Sequence, residues 1–150
     1  MHLLAQIVLF ASSAILAAGW RRSANPPLNG TFADVCGYGG GRLTEGRWLG
    51  AYCRNNQVEV YNYTYTWIDL NLCVANNDGQ LIAYNNGNYT SSCGNCTVFV
   101  QSKTLLLNCI CWNSAKQYTN SSLDLNTTVY DVDGCAGCFD HLGNKTLRGP

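Results

Sequence analysis

The chain has 150 residues, a formal net charge of zero and only 12% charged residues. That length holds one domain, or two small intertwined halves. A neutral, sparsely charged surface has no broad attraction for nucleic acid or anionic membrane, so neither is expected as a partner.

The first feature is a short apolar run, Leu3 to Leu16, followed by the small residues Ala17, Ala18 and Gly19. It predicts a secretory signal peptide over residues 1–18, too short for a comfortable membrane span, and hence an extracellular mature protein. Residues 19–29 contain Ser23, Pro26 and Pro27 and suit a flexible lead-in. Within the first unit, Gly37-Tyr38-Gly39-Gly40-Gly41 predicts a loop and Arg47 to Cys53 a strand. Val58 to Thr66 is the clearest strand material, with a turn expected around Asn62. Asp69 is placed to cap a single helical turn. Asn77-Asp78-Gly79 is turn chemistry, and Gln80 to Tyr84 leaves it as a strand. Asn85 to Asn88 joins the second unit. There the order repeats: Tyr89 to Cys93, strands at Thr97–Gln101 and Leu105–Trp112, one near Tyr118, and a turn at Asp124. Residues 141–150 read as a tail. No stretch carries a useful helical period, so the class is all-β.

The two units share a phrase. Thr66 to Gly79 returns as Ser121 to Gly134, with six aligned identities. Asp69-Leu70-Asn71 and Asp78-Gly79 recur 55 residues later, while Phe32 and Cys36 recur as Tyr89 and Cys93 after 57. A shared offset across an aromatic, a cysteine and an Asp-Leu-Asn box means two copies of one structural unit, about 30–84 and 89–139.

Export would place the nine cysteines in an oxidising compartment, where they form disulfides. Cys36 with Cys53 and Cys93 with Cys109 span comparable loops, and each pair would staple two neighbouring strands. Closing such a loop contributes on the order of 3 kcal/mol in the chain-entropy model. Seven Asn-x-Ser/Thr sequons, at Asn29, Asn62, Asn88, Asn95, Asn120, Asn126 and Asn144, suit a secreted glycoprotein.

The order aromatic-x-x-x-Cys, Cys, Asp-Leu-Asn-x-x-Val and Asn/Asp-x-Asp-Gly, given twice over about Thr31 to Phe139, resembles the cyanovirin-N homology domain. The most specific pieces are Ile68-Asp69-Leu70-Asn71 and Leu123-Asp124-Leu125-Asn126. The resemblance implies a pseudo-symmetric β fold over residues 30–140 with strands exchanged between repeats. It further implies a lectin that binds mannose-type oligosaccharides by hydrogen bonding, with no metal or other cofactor. The implied partner is an oligosaccharide or glycoprotein, and the chain would be a monomer or a strand-swapped or disulfide-linked dimer.

Carried over residue by residue, one implied site gathers Asn76, Asp78, Asn88 and Ser92 with Ile110, Cys111 and Trp112. The other gathers Asp131 and Asp133 with Asp34, Arg54 and Asn56. Asn, Asp, Ser and Thr side chains can meet vicinal sugar hydroxyls without an ion. The chain departs from the family pattern at Cys111 and Trp112, where polar or basic residues are usual, and in its glycine run. Cys135-Ala136-Gly137-Cys138 stands in place of a short apolar strand. Asn88 is itself a sequon residue, so a glycan there would sit on the first site.

Five cysteines exceed the family's two bridges. A Cys73–Cys96 cross-link would pin the two halves, and Cys111 with Cys138 or Cys135 would tie down the C-terminal segment. One cysteine is left over, as an intermolecular bridge or a buried thiol. Zinc knuckles and a redox Cys135-x-x-Cys138 are the weaker readings, since export and the absence of a following helix argue against them. Only His141 survives signal removal, so no catalytic set can be assembled and an enzyme is not expected. The alternative to a lectin is a secreted, cysteine-rich structural or host-interaction protein that keeps the fold without binding sugar. Tyr61, Tyr63, Tyr65 and Trp67 could form a sugar-stacking strip, but a core face with cross-strand pairing is the commoner use of such alternation.

Overall fold

The computed structural model describes residues 31–36, 41–55 and 62–149. The expected signal sequence and lead-in, Asn29, the glycine run at 37–40, Asn56 and the 58–61 stretch with Tyr61 lie outside the described residues.

One short helix, α1 (Thr31–Cys36), opens the first repeat. Three antiparallel strands follow: β1 (Arg42–Thr44), β2 (Trp48–Arg54) and β3 (Tyr63–Asp69). A single 3-10 turn, Leu70–Leu72, leads into a two-stranded ribbon of β4 (Val74–Asn77) and β5 (Gln80–Ala83). The second repeat opens with a 3-10 turn at Tyr89–Ser91 where the first has α1. Its sheet is β6 (Cys93–Gln101), β7 (Thr104–Trp112) and β8 (Tyr118–Asp124), again followed by a 3-10 turn, Leu125–Thr127. The matching ribbon is β9 (Tyr130–Val132) and β10 (Cys135–Cys138), extended by β11 (His141–Leu142). Last comes β12 (Asn144–Thr146), which pairs antiparallel with β3 as a fourth strand of the first sheet. The class is all-β, as the sequence predicts.

Each ribbon packs against the other repeat's sheet, and the same hydrogen bonds do it twice. Thr119 Oγ1 donates to the Gly79 carbonyl at 2.8 Å, and Thr64 Oγ1 to the Gly134 carbonyl at 2.7 Å. The Leu81 N–H donates to Ser121 Oγ at 2.8 Å, and the Ala136 N–H to Thr66 Oγ1 at 2.9 Å. The Asp-Leu-Asn boxes follow the same rule. Asp69 and Asp124 cap their own turns by accepting from the N–H groups of Asn71 and Asn126. Asn71 Oδ1 then accepts from the Thr90 N–H, directly after Tyr89, and Asn126 Oδ1 from the Ala33 N–H, directly after Phe32. Each box thus fixes the opening turn of the other repeat. Phe32, Tyr89, Ile68, Leu70, Leu107, Leu125, Val74 and Val129 fill the core between them.

The structure revises three sequence expectations. The tail is ordered structure: Lys145 and Thr146 face Thr66 and Tyr65 across the free edge of β3, which gives the tail's backbone a hydrogen-bonded place. Cys135–Cys138 is itself the short strand, fully buried, rather than a replacement for one. Tyr65 and Trp67 point outward. Their neighbours Thr64, Thr66 and Ile68 take the buried face, because the threonine hydroxyls are needed there to hold the β9–β10 ribbon.

The disulfides differ as well. Cys36 is bonded to Cys53, but Cys93 is bonded to Cys111, not Cys109. Register explains it. Cys53 faces Thr64 across β2 and β3, and Cys111 faces Thr119 across β7 and β8, so Cys111 is the true counterpart of Cys53. A bulge between Gly94 and Thr97 then leaves Cys96 to pair with Cys109. Cys73 therefore bonds Cys138 rather than Cys96, joining the end of the Leu70–Leu72 turn to the second ribbon across 65 residues. In the chain-entropy model such a closure contributes about 4 kcal/mol. Cys135 is the remaining thiol. It is buried, donates to the Gly143 carbonyl at 3.4 Å, and has its pKa raised chiefly by desolvation. A buried, protonated thiol is inert. It supports neither an intermolecular bridge nor a redox pair with Cys138.

Candidate functional site

Position 78 sits at the tip of the β4–β5 ribbon with φ of 51°, and Gly79 follows with φ of 88°. Two residues with positive φ make the tight hairpin turn that Asn-Asp-Gly favours. Gly79 is required for space too, since a Cβ there would run into the Thr119 hydroxyl. Asn76 braces the turn from below: its Oδ1 accepts from the Gly79 N–H at 2.8 Å. Its amide then donates to Ser92 Oγ at 2.9 Å and to the Trp112 carbonyl at 2.8 Å. One side chain so ties together three segments of chain.

Beside this brace lies an open cleft of about 310 Å3. Thr90, Ser92, Asn95 and Ile110 line it, and Trp112 and Tyr118 form an aromatic wall. Those two rings lie 4.0 Å apart between centroids, and both side chains are well exposed. Asp78 accepts from the Ser114 N–H, and that bond holds its carboxyl below the usual range, so it stays an ionised acceptor. Asn88 is exposed in the left-handed region at φ of 50°, with its N–H bonded to the Asn71 carbonyl. It lies beside the cleft rather than in its lining. Cys111 is buried in its disulfide and offers the surface nothing.

The second turn has the same frame with different chemistry. Asp133 and Gly134 have φ of 50° and 75°, and the Gly134 N–H donates to Asp131 Oδ2 at 3.3 Å. Asp131 occupies the place of Asn76 but has no amide hydrogen to give. Its other oxygen lies 3.8 Å from the bonded sulfur of Cys36, and burial pushes its pKa up to about 6, the Gly134 bond opposing the rise. Asp133 is engaged by Lys145, whose ammonium donates to its carbonyl at 2.6 Å and lies 3.5 Å from its carboxylate. Asp34 is exposed on α1 and lines a separate cleft with Val100 and Lys103. Arg54 is exposed at the end of β2, opposite Tyr63. Asn56 lies outside the described residues. Of the first set, Asn76, Ser92 and Trp112 are brought together; of the second, Asp131 and Asp133 share a turn while Asp34 lines another cleft. Among the described residues, the one group with metal-ligand spacing is Cys36, Cys53 and Asp131. Its sulfurs are bonded to each other and cannot act as thiolates.

Tyr118 and Lys145 are the residues sequence reasoning missed. Tyr118 was findable, because it stands 55 residues after Tyr63. Lys145 carried no signal beyond a position in an apparent tail.

Residues 32–135 match the CVNH domain family. The fold is similar to the NMR structure of the CVNH protein of Gibberella zeae, at 19% identity and a TM-score of 0.63, over 73% of this chain and 98% of that one. It is similar to microvirin, solved with mannobiose, at 18% identity and a TM-score of 0.55, over 68% and 92%. A variant of MoCVNH3, solved with (N-GlcNAc)4, aligns at 16% identity and a TM-score of 0.52, over 65% and 92%. No curated protein sequence is significantly similar. With the match spanning most of the chain and both repeats folded alike, this chain belongs to the cyanovirin-N homology family.

Proposed function

We propose that the protein is a secreted lectin that binds mannose-type oligosaccharides in the cleft beside Asn76, by hydrogen bonding and without a metal. The observation that carries this reading is an open hollow lined by uncharged residues, walled by the exposed Trp112 and Tyr118, whose Ser92 is tied to the braced Asn76 of the turn beside it. Sites for small molecules combine aromatic walls with a few fixed polar groups. Asp78 supplies an acceptor, Ser92 both kinds of group, and the rings a flat face for sugar C–H bonds. Microvirin with mannobiose shows that a protein of this fold takes such a ligand. Four disulfides among the described residues favour an oxidising, extracellular setting.

The second turn does not act as an equal site in this reading. Lys145 occupies the carboxylate that a sugar would meet, and Asp131 is turned into the protein. In that half the fold is kept without the binding surface. A glycan array on the mature protein, run beside Asn76→Ala and Trp112→Ala, tests the proposal. Mannosides bound by the wild type and lost about tenfold or more in both variants are expected, matching the 1–3 kcal/mol of a deleted buried polar partner. If both variants bind like the wild type, the site is misplaced. If the enzymatically deglycosylated wild type binds no glycan, the lectin reading fails.

A further inference from the structure

The outer face of the first sheet carries a cluster of three aromatics at positions where its twin has none. Trp48, Tyr65 and Trp67 stand there in register on β2 and β3, where Trp48 faces Asp69 and Gly50 faces Trp67. Leu106 faces Asp124 in the same way across β7 and β8, so the counterparts of these three aromatics are Leu106, Asn120 and Ser122. The fold therefore does not need aromatic side chains at these positions, since its second half is built without them.

The three rings line an open hollow of about 350 Å3, with Gly50 as floor and Thr44 and Thr146 as hydroxyl-bearing rims. Gly50 is buried beneath the Tyr65 hydroxyl, which a Cβ would displace. The walls are held before any ligand arrives. The Arg47 guanidinium lies 5.0 Å over the Trp48 ring and is tied to Asp69 at 3.3 Å. Tyr52 packs edge-on against Tyr65 at 5.1 Å, and the Gly149 N–H donates to the Tyr52 hydroxyl at 3.1 Å. The tail thus covers the Tyr52 end and leaves the Trp48–Trp67 end open.

We propose that this hollow is a second carbohydrate site, taking the flat ring of a β-linked oligosaccharide whose hydroxyls are equatorial. Such a ring shows only C–H bonds on its two faces, which match an indole surface, while its hydroxyls project sideways toward Thr44, Thr146 and the Arg47–Asp69 pair. Rigid aromatic anchors give contact area at small entropic cost. The net charge of the chain is zero, so a neutral ligand suits it. This site stands or falls independently of the cleft at Asn76.

The test is calorimetric titration of the mature protein with cellotetraose and with chitotetraose. Trp48→Ala, Trp67→Ala and Asn76→Ala are measured alongside, with circular dichroism to confirm folding. At least one tetrasaccharide is expected to bind, tenfold or more weakly in either tryptophan variant and unchanged in Asn76→Ala. Trp48→Phe should recover part of the loss. The proposal is overturned if neither sugar binds the folded wild type, or if binding ignores both tryptophans. It is overturned equally if sedimentation shows a dimer that Trp67→Ala abolishes, because the occupant would then be a second copy of the chain.

Discussion

Asn76 and Asp131 show how one atom changes a site. Both accept from the glycine N–H of their turn, but only Asn76 has hydrogens for the groups behind it. Asp131 has its carboxyl pushed up to about 6, above the ordinary carboxylate range, mainly because burial disfavours the charge. The unfolded chain binds that proton less tightly, so the group costs stability as pH rises from about 4 through 6, and the cost persists at neutral pH. Asp131→Asn should therefore raise stability at pH 7, on the order of 1 kcal/mol once solvent screening of a partly exposed carboxyl is allowed for. The gain should shrink toward zero near pH 4. Urea unfolding of both proteins at the two pH values measures it, and an equal gain at both would assign the effect to packing. The turn aspartates and Asn76 were legible from the repeat, because a gap-free alignment carries them. The burial of Asp131 and the hold of Lys145 on Asp133 were not, since the first depends on packing against Cys36, 95 residues away, and the second on the tail's return to the edge of β3.

At the scale of the elements, the Asp-Leu-Asn boxes are joints between repeats. Asn126 is buried, accepts from the Ala33 N–H at 2.9 Å and also donates to the Lys103 carbonyl at 3.4 Å. Asn126→Ala should cost about 1–3 kcal/mol, since it leaves buried backbone groups without partners. Thermal unfolding gives that number, and a change under 0.5 kcal/mol would mean the joint is incidental. The same burial closes the Asn126 sequon to a glycan in the folded protein, while Asn95 and Asn120 are exposed. Peptide mapping of the protein expressed through a secretory pathway should find Asn126 bare. The strand at Arg47–Cys53 was readable from its aromatic and aliphatic content, the one at Leu105–Trp112 from the repeated order, and the one at Gln80–Tyr84 from the turn before it. The second disulfide was misread because cysteine spacing was compared without strand register. Register is a property of two strands, and a one-dimensional offset misses a change of step such as the bulge in β6.

Viewed whole, the molecule repeats its frame and varies its surfaces. Cys73–Cys138 locks the first turn to the second ribbon, and the matching places in the other half are Thr128 and Ala83. Thr128 is fully buried there with no partner for its hydroxyl. The double change Thr128→Cys with Ala83→Cys should form a fifth bridge, adding about 2–4 kcal/mol. Mass spectrometry under non-reducing conditions detects it, and two free thiols would show that the halves diverge at this point. The pseudo-symmetry was visible in the doubled phrase, and so was the family. The inequality we propose between the two turns was visible only in part, because it rests on Lys145, Tyr118 and the outward-facing aromatics. The most direct measurement is an NMR titration of the isotope-labelled protein with mannobiose. Amide shifts should concentrate at Asn76, Ser92, Trp112 and Tyr118, with Asp131 and Asp133 unmoved. Shifts confined to the second turn, or of equal size at both turns, would contradict a single working cleft at Asn76.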